Sequence, residues 1–405
     1  MAEFINNSKV KRKSLLELGL GMLQGQNNPK FVSRFDRVMN QVTPRDIIYI
    51  VDGMVQSGQP MEELKKAVSK VINLMYIPLK ENQTGSYDHI PFIKALMDEN
   101  HEMEMRMKEI KIFVKTINIS GIDKEQLNQL KSDLLVKIQD LEMFDRHYIR
   151  KENILFPYLE NIWQDYRCLQ VMWSLHDDAR KSIRELKQTL QEDEMPLEQF
   201  NKQIGELFFS VYPLIYREEN ILFPVAVEEI PQKDWALMHQ LSSELGYAWI
   251  DQPIVLENQF TKAEQNHSTK ASMIDLDTGM LEADDIIRIF NHMPVDITYV
   301  DENDEVRYFS NSENRHFPRS KAIIGRKVQN CHPPESIDIV NRIVEAFRKG
   351  EKDEASFWIQ MKGMFILIQY FAVRDEEQNY KGVVEISQDV TEIRKLEGER
   401  RLLDW

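Results

Sequence analysis

The sequence predicts a multidomain protein: an all-α N-terminal domain, a four-helix bundle, and an α+β domain with an antiparallel sheet. Three observations carry that expectation. The hexapeptide Glu-Asn-Ile-Leu-Phe-Pro occurs twice, at 152–157 and 219–224, and marks two related helices. Helical periodicity covers 91–117, 124–160, 169–191 and 197–226, a spacing that suits an antiparallel bundle whose ligands project inward. From residue 296 onward the apolar period shortens to that of strands. The implied boundaries are 1–80 for the helical domain, 81–250 for the bundle, 251–280 for a polar linker, and 281–405 for the α+β domain with its C-terminal helix.

Taken in order, Leu15, Leu16, Leu18, Leu20 and Leu23 predict a first helix, stopped by Gly25-Gln-Asn-Asn-Pro29. Thr43 precedes Pro44 as an N-cap, and Ile47, Ile48, Ile50, Val51 and Met54 follow until Ser57-Gly-Gln-Pro60 breaks the run. The next helix starts at Met61. No chemical groups stand out in this part, which reads as a packing or docking module. In the α+β part, strands at 296–300 and 306–310 flank a polar turn, a helical middle reaches Lys349, and strands follow at 356–360, 364–373 and 382–387. Such a sheet has a hollow facing its helices.

The 405 residues allow two or three cores. A formal net charge of −15 opposes phosphate backbones and anionic lipid surfaces, so neither nucleic acid nor membrane is an expected partner. No run of about eighteen apolar residues and no signal-peptide core occur, so the expectation is a cytoplasmic chain that does not span a membrane. Cys168 and Cys331 are the only cysteines, which excludes a disulfide framework and suits a reducing compartment. The 19 methionines read as core filler. No nucleophile and base pairing, phosphate-cradling glycine loop or kinase signature is found, and no enzymatic activity is expected.

Metal-ligating residue types cluster in the bundle segment. They are His89, Glu99 and His101 on the first helix or just ahead of it, His147 and Glu152 on the second, His176 on the third, and Glu218 and Glu219 on the fourth. Imidazole with carboxylate suits iron, manganese or zinc. The run His147-Tyr-Ile-Arg-Lys-Glu-Asn-Ile-Leu-Phe-Pro157, with His176-Asp-Asp-Ala-Arg180, resembles the hemerythrin-like HHE cation-binding domain. The resemblance implies non-haem iron, with His89 or His101, His147, His176 and Glu218 at the ligand positions and Glu152 as a further candidate. Two departures stand out. Lys151 lies four residues after His147 where a carboxylate is usual, and Leu214 lies four before Glu218 where a histidine is usual. On an ideal helix Glu152 lies about 140° from His147, so the two share a metal only if the helix is distorted. A reduced, mononuclear site and a bundle that has lost its metal both remain open.

Asp296-Ile-Thr-Tyr-Val-Asp301, Ile324-Gly-Arg-Lys-Val328, Tyr370-Phe-Ala-Val-Arg-Asp375 and Gln388-Asp-Val-Thr391 resemble a PAS domain. That resemblance implies a haem, flavin or metabolite in the sheet's hollow, or a dimerisation role. The order of parts resembles a bacterial three-domain architecture whose first domain has no assigned function. In Asn330-Cys-His-Pro-Pro334, Cys331 and His332 are candidate haem ligands, set against a buried hydrophobe and a turn residue respectively. An amphipathic segment with Ile393, Leu396, Leu402 and Leu403 lies at the end of the sequence, and the expectation is that no output domain follows it. The expected protein is an intracellular sensor or regulator with iron in the bundle, haem or another ligand in the PAS domain, and a homodimer formed through that domain. A downstream protein partner receives its signal. An iron-handling or iron-centre repair protein, and an interaction scaffold with vestigial sites, are the alternatives.

Overall fold

A computed structural model describes residues 2–81, 87–119, 123–163, 165–251, 273–312 and 315–399, with side chains from Lys9 onward. The chain divides into two compact units, Met1–Leu256 and Glu257–Trp405. Most of the expected linker, residues 252–272, lies outside the described residues, as does the end of the closing amphipathic segment. Among the described residues no helix is long and apolar enough to cross a membrane.

The first unit opens with helices Ala2–Leu23, Pro44–Val55 and Met61–Leu74. Pro44–Val55 begins where expected because Thr43 and Asp46 form a reciprocal capping box, which satisfies two amides at the helix start. Leu15, Leu18, Ile47, Ile50, Met54 and Val68 are buried. The sequence boundary near residue 80 separates helices that pack together in this unit. Lys65 Nζ reaches Asp178 at 2.7 Å, Asp52 accepts the Arg167 amide at 2.8 Å, and Tyr76 stacks on Tyr216 at 4.6 Å.

Four helical runs form the bundle, close to the positions that periodicity indicates. They are Pro91–Ile117; Lys124–Asp140 continuing through shorter segments to Phe156–Ile162; Cys168–Gln191; and Leu197–Arg217 continuing to Phe223–Glu229. The second and fourth runs are not regular. Each contains a π-turn, Lys151–Leu155 and Glu218–Leu222, at the repeated hexapeptide. The sequence supplies the cause. Pro157 and Pro224 lack an N–H, and their rings would strike the carbonyl four residues back in an α-helix. Widening the turn by one residue relieves that clash. Asn153 then donates its side-chain amide to the Ile149 carbonyl at 3.1 Å, and Asn220 does the same to Tyr216 at 2.8 Å.

The second unit carries a five-stranded antiparallel sheet. Its strands, in spatial order, are Val306–Phe309, Asp296–Asp301, Tyr380–Asp389, Met364–Arg374 and Glu354–Met361. Helix Pro334–Arg348 and two short 3-10 turns form the expected helical middle. Val300, Val306, Ile323 and Cys331 make a buried cluster, so the sheet face bearing Val300 is the covered one. Gly382 pairs with both Asp301 and Val373 at φ +142°, and a Cβ there would meet the Val300 carbonyl. Because that obstacle is backbone within the sheet, Gly382→Ala is expected to cost about 3 kcal/mol. A thermal melt followed by circular dichroism checks it, and an unchanged midpoint contradicts the close approach.

Candidate functional site

The candidate site is a group of charged side chains sealed inside the bundle. Glu99, Asn100, His147, Arg150, Lys151, His176 and Glu218 are all fully buried, and Glu152 nearly so. Burial of that much charge is sustained only by direct pairing. His147 sits at the centre, with Nδ1 2.9 Å from Glu99 Oε2 and Nε2 2.9 Å from Glu218 Oε2. Arg150 also pairs with Glu99, whose other oxygen accepts the Ala248 amide at 2.6 Å. Lys151 pairs with Glu218, and Asn100 donates to the same carboxylate at 3.1 Å.

A second branch runs from Glu152. His176 Nδ1 donates to it at 2.7 Å, and Arg180 grips both of its oxygens at 2.9 and 3.0 Å. Arg180 continues to Asp145 at 2.7 Å. Aromatic rings wall the network in. Phe144 stacks on His147 at 4.4 Å, Tyr148 stacks on His176 at 4.5 Å, and Lys151 Nζ lies over the Tyr148 ring at 4.9 Å.

The electrostatics follow from this packing. Burial alone would raise the Glu218 carboxyl, but Lys151 and His147 outweigh it and hold that carboxyl well below the usual range. Burial, aided by Lys151 and Arg180, pushes His176 well below its ordinary value and keeps it neutral. Glu219, half-buried beside Glu218, is pushed up from 4.5 to about 7, chiefly by desolvation.

The structure brings together four of the six sequence-predicted metal ligands, namely His147, Glu152, His176 and Glu218, but as an ion-pair network. His89 and His101 stand apart and exposed. His89 lies in the turn ahead of the first bundle helix. His101 is one position past the buried stripe of Leu96, Asn100, Met103 and Met107, a rotation of about 100° that turns it outward. Glu99 takes the inward place instead. The π-turn is the distortion that Glu152 needs to face inward, and it points Glu152 at His176 rather than at His147. The basic members Arg150, Lys151 and Arg180 are the residues that a search for ligands overlooks. Their signal was present as a lysine at a usual carboxylate position.

A metal does not fit this arrangement. Among the described residues, no group of three or more histidine, cysteine, aspartate or glutamate side chains is placed to hold an ion. His176 Nε2 is buried without a hydrogen-bond partner, but a single orphan nitrogen is one donor where three or four are needed. In the PAS-like unit, Cys331 is buried with Val300, Val306 and Ile323, and its thiol points at the Lys327 carbonyl at 3.6 Å. The structure thus places Cys331 as core. His332 is half-buried and held neutral, its value lowered to about 3 by burial and by Arg319 and Arg326.

Removing one member of the network leaves its partner charged and buried. Glu99→Ala is therefore expected to destabilise the chain by about 3–5 kcal/mol, measured by urea denaturation. A loss under about 1 kcal/mol is the value of a surface pair and contradicts the network. Glu219 gives a pH signature. With a folded value of about 7 against 4.5, it keeps its proton in the native state after the unfolded chain has lost it. Stability therefore falls as pH rises through that window. Glu219→Gln removes the loss, and the variant should exceed the parent by about 1–2 kcal/mol at pH 8, screening allowed for, and match it near pH 4. Parallel stability profiles at every pH would contradict this account.

Comparison with known proteins agrees with both halves of the geometry. Residues 92–226 match the hemerythrin HHE cation binding domain, and residues 286–391 match a PAS domain. No curated protein matches the chain significantly. Three solved structures are similar to part of it. A C-terminal domain from Streptococcus mutans is 32% identical, with 31% of this chain and 98% of that chain covered and a TM-score of 0.30. A sensory box sensor histidine kinase from Vibrio cholerae is 15% identical, with 26% and 89% covered and a TM-score of 0.22. The PAS domain of a protein from Colwellia psychrerythraea is 16% identical, with 27% and 97% covered and a TM-score of 0.22. By these family matches, packed helices precede a segment that matches the hemerythrin HHE cation binding domain, and a segment that matches a PAS domain follows it.

Proposed function

We propose that this protein is a non-enzymatic sensor or regulator whose PAS domain takes up a small, polar, anionic ligand. One observation carries the reading: the covered face of the PAS sheet is lined by polar groups. Register places Thr298, Glu385 and Tyr370 directly opposite one another on that face, with Asp296 opposite Ser387 beside them. Tyr370 donates to Glu385, and burial with this carboxylate pushes its hydroxyl up. Arg315 reaches Thr298 Oγ1 at 3.0 Å. Ser387 Oγ and Arg319 Nε are buried without hydrogen-bond partners. Each such group costs about 1–3 kcal/mol to leave unpaired, so a core selected for stability alone would replace them with apolar residues. Guanidinium groups of Arg315 and Arg319 suit a carboxylate or phosphate.

Haem is the second reading, favoured by His332, whose neutral imidazole keeps a lone pair for iron. Under it the stimulus is oxygen, nitric oxide, redox state or haem supply. Iron handling by the bundle has no converging ligand set behind it among the described residues. The expected homodimer has surface to use, since Ile287 and Ile289 on helix Ala283–His292 and Trp358 on the edge strand are exposed.

Native mass spectrometry of the gently purified full chain, with absorption spectra before and after adding haem, tests the proposal. A small-molecule adduct without a Soret band, lost in Tyr370→Phe or Ser387→Ala, is the expected result. A Soret band lost in His332→Ala moves the function to haem. Neither an adduct nor a haem spectrum sinks both readings.

A further inference from the structure

The two hexapeptides set up a correspondence within the bundle. Arg150, Lys151, Glu152 and Asn153 on the second helix match Arg217, Glu218, Glu219 and Asn220 on the fourth, and both stretches enter a π-turn at the same position. Their contacts correspond as well. Glu152 accepts from His176 on the third helix at 2.7 Å, and Glu219 accepts from Asn100 on the first at 3.3 Å. At one matched position the charges are opposite. Lys151 faces Glu218, the two pair across the bundle, and both are sealed from solvent.

We propose that Lys151 is a resident cation, and that its ammonium supplies the positive charge these inward carboxylates require, so that this HHE domain closes without a metal ion. Three features support it. The fully buried carboxylates Glu99 and Glu218 and the nearly buried Glu152 meet Arg150, Lys151 and Arg180, so the charges already balance. A divalent ion added there would sit beside an ammonium and a guanidinium, facing carboxylates that these cations already pair. A lysine is also the side chain for the task, being a compact point charge on a flexible stem that reaches between helices where a planar guanidinium would not. The Tyr148 ring beneath it adds a cation–π contact.

The test uses the full-length chain with manganese, zinc and anaerobic ferrous ions as probes. The parent chain is expected to retain less than about 0.1 equivalent of any of them after gel filtration, and its melting temperature should not move with metal or chelator. Lys151→Glu adds a carboxylate beside Glu152, Glu218, His147 and His176 and removes the blocking charge. It should retain about one equivalent and melt roughly 10 °C higher with metal than with chelator. Lys151→Met keeps the bulk and removes the charge, so its melting temperature should fall, and Lys151→Met with Glu218→Gln should recover at least about half of the fall. The proposal is overturned if the parent holds a full equivalent that disappears in His147→Ala. It is overturned too if Lys151→Met melts like the parent, or if Lys151→Glu is indifferent to metal. The PAS ligand proposed above is untouched by any of these results.

Discussion

The first unit depends on one constraint: a chain of buried polar and charged groups, Arg150 to Glu99 to His147 to Glu218 to Lys151, must be satisfied internally. Desolvating these groups costs several kcal/mol each, and only their mutual pairing repays it. That requirement sets the rotation of the first, second and fourth bundle helices about their axes. A turn of one residue in any of them would take a charge out of the network and leave its partner stranded. Burial of this kind is weak evidence for net stability and stronger evidence for a specified arrangement, since misregistered bundles strand a charge.

The π-turns serve the same constraint. A proline six residues into each repeat widens the helix, and the asparagine three residues into each π-turn occupies a carbonyl there. The widened turn brings two successive side chains inward, Lys151 with Glu152 on one helix and Glu218 with Glu219 on the other, where a regular helix would separate them by about 100°. The N-terminal helices then close one side. Ser69 accepts from the buried Arg217, the guanidinium matched to Arg150, at 2.7 Å, so this module takes part in satisfying the interior.

The PAS unit solves its interior differently. Its apolar cluster of Val300, Val306, Ile323 and Cys331 occupies one part of the covered face, and Thr298, Glu385, Tyr370 and Ser387 line the rest. The bundle's charged groups pair with one another, although single atoms such as Arg150 Nε and His176 Nε2 have no hydrogen-bond partner, as is also true of Ser387 Oγ and Arg319 Nε beside the PAS sheet.

Much of this was legible in the sequence. Helix and strand positions and the Thr43 cap follow from periodicity and turn chemistry, which act over a few residues, while the resemblance of short motifs to the hemerythrin HHE and PAS families singled out His147 and His176. What the tertiary structure alone decided was direction and pairing. Whether Glu99 or His101 faces inward is a matter of one residue on one helix, and whether Lys151 meets Glu218 depends on two helices more than sixty residues apart in the chain. Local pattern names the groups that a bundle will bury. The long-range geometry decides that these groups neutralise one another, because buried charges pair with whatever opposite charge the neighbouring helices bring within reach.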